Sequence, residues 1–181
     1  MPGVELTATQ IAKYRYQVLV PSKYVNTLYP SMTKYYDDKR TDQNAPSIRP
    51  IIIYRLAETY LIAAEALFMD NRAGEALPYI NAIRERAAYP TGNPAAMDIT
   101  AADITLDFIL DERSRELCGA LSRWQDLVRT GTLLNRVKLH NADARANIKP
   151  FHVLRPIPQT QIDGTIAGPA YDNSRFFTGW N

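Results

Sequence analysis

Glu112 and Glu116 have the clearest claim to chemistry in this chain. Four residues apart on a helix, two carboxylates share one face. A glycosidase works with such a pair, and one of the two acids must hold its proton near neutral pH. Here Arg113 and Arg115 flank the pair. Guanidinium charge beside a carboxylate keeps it ionised, so an acid catalyst is disfavoured. Asp37, Asp38 and Asp42 offer oxygens for calcium, but their spacing is not that of a calcium loop, and a solvated turn fits them better. His140 and His152 lie apart, outside any metal-ligand pattern. No Gly-rich phosphate loop, nucleophile elbow or C-x-x-C pair occurs. These residues point away from catalysis and call for no cofactor and no metal.

What must position them is a helix. At about 100° per residue, Leu106, Ile109, Leu110 and Leu117 fall on one stripe, and Arg113 projects from its middle. A guanidinium on an apolar face cannot shed its charge, so it must be paired. Glu116 and Glu112 are the nearest partners in sequence. A second cluster follows at once in Arg123, Asp126 and Arg129. Glu112, Arg113, Glu116, Arg123, Asp126 and Arg129 together read as a structural ion-pair network that clips two helices. Trp124, with Leu127 and Val128 beyond it, reads as a core anchor and not as a sugar platform.

Helical periodicity continues on either side. One helix is expected over residues 50–69, with Leu56, Ala57, Tyr60, Leu61, Ala64, Leu67 and Phe68 on one face. Ile62 and Met69 on the other face predict cover on more than one side. After Asp70-Asn71 a second helix runs over about 72–88, with Ala76, Ile80, Ile83 and Ala87 inward and Pro78 inside it. A short connection makes the two antiparallel neighbours. Leu56, Ala57 and Tyr60 echo tetratricopeptide spacing. Thr100 with Asp103 is expected to cap the central helix, which ends near Gly119. Short helices follow over 123–129 and 133–140, the basic face of the second reading as solvated. Residues 14–20 alternate like a strand, and Phe151–Ile157 reads as extended. The fold class is therefore mainly α, with long irregular loops. It is expected as one domain over 1–181: an extended lead-in (1–49), a helical core (50–140) and a loop-rich tail (141–181).

The totals agree with a globular chain. There are 181 residues, 46% hydrophobic and 22% charged, enough for a sizeable core. A net charge of +2 leaves no nucleic-acid footprint. Twelve prolines against eight glycines favour ordered loops. The single cysteine, Cys118, reads as a buried, inert thiol. Tyrosines crowd residues 14–36; their rings could stack on sugar faces, and packing against a missing or neighbouring element is the more economical reading. No apolar run reaches the roughly 18 residues of a membrane span. The opening MPGVELTATQ has neither the basic start nor the apolar core of a signal peptide.

Three stretches, in order, carry a resemblance: R-L-A-E-T-Y-L-I-A-A-E-A from Arg55 to Ala66, D-E-R-x-R-E-L from Asp111 followed by R-W-x-D-L-x-R-T-G from Arg123, and H-V-L-R-P-I-P-Q from His152 to Gln159. In this order the chain resembles the RagB/SusD family. Two places depart: Gly119-Ala120-Leu121-Ser122 stands before Arg123 where the family reads G-E-G-x, and Gly168-Pro169-Ala170-Tyr171 stands for its closing N-P-G-Y.

The resemblance implies a SusD-like helical domain with a tetratricopeptide-like helix pair. It implies a non-catalytic, surface-exposed outer-membrane lipoprotein that captures oligosaccharide or polysaccharide for a TonB-dependent transporter. Against that family the chain is expected to be a carboxy-terminal piece, the scaffold portion. Its glycan-binding residues are left unassigned. The helix pair alone would instead suggest a helical-hairpin protein–protein adaptor of tetratricopeptide type.

Overall fold

Two runs of strong helix formers, LAETYLIAAEALFM and AGEALPYINAIRERAA, carry the centre of the fold. The structure, a computed structural model, describes residues 5–25, 27–42, 44–88, 92–120, 122–169, 171 and 173. Phe176, Phe177 and Trp180, which call for a docking surface on sequence grounds, lie outside the described residues. The chain divides into two compact units, the first ending at Ile51 and the second beginning at Ile52.

The first unit holds one short helix, α1 (Ala8–Ile11), capped by Thr7, whose hydroxyl accepts from the Gln10 N–H. A 3-10 turn follows at Pro21–Lys23. The strand expected over residues 14–20 does not form; the Val25–Leu28 bridge is the one β-bridge among the described residues. A strand needs a partner for its ladder, and only Val20 of that alternating face is buried. Asp37 ties the later loop together. Its carboxylate accepts from the Ser47 hydroxyl at 2.8 Å and from the N–H groups of Lys39, Ile48 and Arg49. Those bonds, the Ser47 hydroxyl foremost, hold its pKa below the usual carboxylate range.

The second unit is helical. It contains α2 (Leu56–Met69), α3 (Ala73–Ala88), α4 (Leu106–Glu116), α5 (Arg123–Arg129), α6 (Leu133–His140) and α7 (Gln159–Asp163). Residues 51–55 are extended, so α2 starts six residues later than its periodicity predicts. Ile51, Ile52 and Ile53 are β-branched, which disfavours helix, and they stay exposed with nothing to compensate. Asn71, at φ 59°, closes α2: Arg72 N–H bonds to Leu67 C=O and Asn71 N–H to Phe68 C=O, a Schellman cap. Gly131, at φ 68°, closes α5 in the same way through Thr132 to Leu127 and Gly131 to Val128.

Thr105, not Thr100, caps α4, accepting from the Phe108 N–H at 3.1 Å. Thr100 and Asp103 bond to each other around a separate 3-10 turn, Ala101–Asp103. Pro150–Val153 is also a 3-10 turn, where an extended run was expected.

α2 packs against α3 and α4, and α5 bridges α4 and α6. Three apolar clusters result. Ala64, Ala76, Ile80, Ile104 and Ile109 form the first; Leu61, Ile83 and Leu117 the second; Leu110, Leu127 and Leu133 the third. The inward faces differ from expectation at their ends. Leu56 is exposed, as is Ala87, and Ile62 and Met69 remain open to solvent. Cys118 is also exposed, in the turns after α4. Mainly α is thus the class of the fold, with no β-strand among the described residues.

Candidate functional site

The residues singled out by their chemistry meet where α2, α4 and α5 converge. Arg113 projects from α4 between the buried Ile109 and Leu117 and is only 3% exposed. Its carboxylates come from other helices. Asp126 of α5 lies 2.8 Å from its Nη2, and Glu58 of α2 lies at 3.9 Å, close enough for attraction but not for a hydrogen bond. Glu116 and Glu112, its neighbours in sequence, are engaged by other arginines. Arg86 of α3 donates to both Glu116 oxygens at 2.7 Å, and Arg55 joins it from the start of α2. Arg84 of α3 and Arg115 both reach Glu112, at 2.9 and 2.6 Å. The helical reason is direct: Arg113 points across the apolar seam, where partners one turn along its own helix are poorly placed.

The remaining members close the network. Arg129 clamps Glu65 of α2 through both terminal nitrogens and lies 3.3 Å from Asp126. The Glu65 hydrogen bond raises the Arg129 pKa further above its usual range. Arg123 donates to the Leu110 carbonyl at 2.7 Å. Burial first, and the nearby Arg136 charge second, push its pKa down. Arg136 itself, expected on a solvated face, is buried and paired with Asp107 at 2.7 Å and with Asp111. Arg55, Glu58, Glu65, Arg84 and Arg86 were not singled out from sequence. Glu58 and Glu65 stand two helical turns apart on α2, a spacing that places both on one face and was there to be read.

Trp124 is half-buried. It packs on the cluster of Leu110, Leu127 and Leu133, and the Arg155 guanidinium sits over its ring at 5.3 Å. That covers a ring face of the kind a sugar would use.

Above the network lies a cleft of about 520 Å³. Tyr54, Ile62 and Met69 form its apolar side; Ser122, Gln125 and the buried Arg113–Asp126 pair lie at its polar side. Arg113 Nε and Nη1 and Asp126 Oδ2 are buried without a protein hydrogen-bond partner. The pair forms part of the cleft floor. Every network carboxylate faces at least one guanidinium, and these pairs hold helices together. Among the described residues, no group of three His, Cys, Asp or Glu side chains is placed to hold a metal ion.

SusD-like protein P25 of Formosa agariphila is 37% identical over 114 residues, which are 61% of this chain and 21% of that protein. SusD-like protein P38 of the same organism is 42% identical over 84 residues, 44% of this chain and 17% of that protein. The matched stretches thus span about a fifth of these curated relatives. No solved structure matches the chain significantly. The SusD family pattern itself matches residues 7–167, taking in α2 to α6 and every member of the charge network, and on that match the chain belongs to the SusD family.

Proposed function

We propose that this chain serves glycan capture at the outer-membrane surface, in a lipoprotein that hands oligosaccharide or polysaccharide to a TonB-dependent transporter. The observation that carries this reading is the family match across residues 7–167. The chain's own part is the scaffold portion: α2 to α6 form a charge-clipped helical block with no aromatic cradle among the described residues. Sugar sites need aromatic faces and fixed polar groups converging on a concave surface. In this block Trp124 is capped by Arg155, and the cleft floor is a closed ion pair. The role is non-catalytic, in keeping with network carboxylates that each face an arginine. No helix among the described residues is long and apolar enough to cross a membrane.

The test is affinity purification of the full-length protein from outer membranes of cells grown on polysaccharide. A TonB-dependent transporter should co-purify in near-equal amount. Recovery of the protein alone, or with a soluble partner that binds the α2–α3 hairpin, would replace this reading with the adaptor.

A further inference from the structure

The first unit carries a surface the charge network does not use. Up to Ile51 the chain has seven Lys and Arg against four Asp and Glu, a net of +3, while the whole chain carries +2. Three of the four acids accept hydrogen bonds within the unit, Asp42 from the Asn44 N–H at 2.7 Å. Glu5 accepts from the Ser22 N–H and hydroxyl, and Asp37 from Ser47 and three backbone N–H groups. The positive excess is most local at Lys13-Tyr14-Arg15-Tyr16, four consecutive exposed residues. Tyr14 is 47% and Tyr16 70% exposed, and their rings lie 5.6 Å apart at 42°. The end of α1 holds this segment in place: Lys13 N–H bonds to Gln10 C=O and Tyr14 N–H to Ile11 C=O.

We propose that Lys13, Tyr14, Arg15 and Tyr16 form a weak contact site for an acidic polysaccharide, one bearing carboxylate or sulfate on its sugar rings. The proposal rests on the capture reading and names the ligand class within it. A tyrosine ring offers an apolar face to the C–H face of a pyranose and a hydroxyl to its rim. A lysine and an arginine next to the two tyrosines in sequence can supply charge-assisted hydrogen bonds to anionic substituents. A neutral glycan would use the rings and leave the cations idle.

Calorimetric titration of this chain with oligogalacturonate, and with its methyl ester, tests the proposal. Both have the same rings; only the charge differs. At about 20 mM salt the acid should bind at least about fivefold more tightly than the ester, and the preference should shrink at about 150 mM salt as the Debye length shortens. Lys13→Ala with Arg15→Ala should abolish the preference and leave ester binding alone. Tyr14→Ala with Tyr16→Ala should weaken both ligands. All four side chains are exposed, so the variants should melt like the parent, and a matched melting temperature is checked first. A sulfated oligosaccharide in a parallel arm tells which anion is preferred. Equal binding of acid and ester, no binding of either, unchanged binding by the variants, or equal affinity for single-stranded DNA would each overturn the proposal. Transporter co-purification reads the capture function separately, so the two can fail independently.

Discussion

Arg113 shows what a single buried charge demands of its surroundings. Its removal from water is offset by Asp126 at 2.8 Å, yet two of its nitrogens and one Asp126 oxygen stay unpaired. Arg113→Ala should cost about 3 kcal/mol, near the low end for a broken buried pair, because Asp126 keeps Arg129 at 3.3 Å. Arg113→Met combined with Asp126→Leu should cost less than the sum of the two single changes, since neither member of the close pair is left facing an empty partner position. Urea unfolding of the four proteins measures this, and a single variant as stable as the parent would mean the pair contributes nothing. Trp124→Ala should cost about 3 kcal/mol, the lower figure for an aromatic truncation because the ring is only half-buried. Glu85 works in the opposite sense. The Asp98 charge, chiefly, raises its pKa above the ordinary 4.5. A group with a raised folded pKa adds stability below its unfolded value and loses it as pH rises through the folded one. At pH 7 the Glu85–Asp98 pair is therefore a liability. Glu85→Gln should raise the melting temperature at pH 7 and leave it unchanged near pH 3; a gain equal at both pH values would remove the electrostatic cause.

At the scale of elements, the same substitution should act with opposite sign according to backbone conformation. An added Cβ meets nothing within 4 Å at Gly131 or at Gly74. Gly131 sits at φ 68° in the cap of α5, whereas Gly74 lies in the first turn of α3. Gly131→Ala should destabilise by about 1 kcal/mol through left-handed strain alone. Gly74→Ala should stabilise by up to about 1 kcal/mol, through helix propensity and a less flexible unfolded chain. Thermal melts of both variants decide it; two shifts of the same sign would show that conformation is not the controlling factor.

For the whole molecule, the division at Ile51 and Ile52 falls in an extended, exposed run. Ile51 is 90% and Tyr54 78% exposed. Limited chymotrypsin treatment should therefore cut first after Tyr54, releasing a stable helical fragment that begins at Arg55. The bonds Arg55 makes to Glu116 lie on the helical side of that cut. Early cutting inside α2 or α4 would mean that the helical unit opens as readily as the run before it.

Local chemistry made part of this readable from the sequence. The apolar periodicities of α2 to α6, the stops at Asn71 and Gly131, and the helix at Gln159–Asp163 depend on residues a few positions apart. The Arg113 side chain could be placed on an apolar stripe for the same reason. The choice of its partner could not. Asp126 and Glu58 reach it from other helices, and only packing brings them within range. Tertiary structure likewise decided that residues 14–20 find no strand partner, that Arg136 is buried, and that Arg155 covers Trp124. Sequence spacing reports what one helix presents on a face; which face another helix turns toward it depends on the burial of the whole unit.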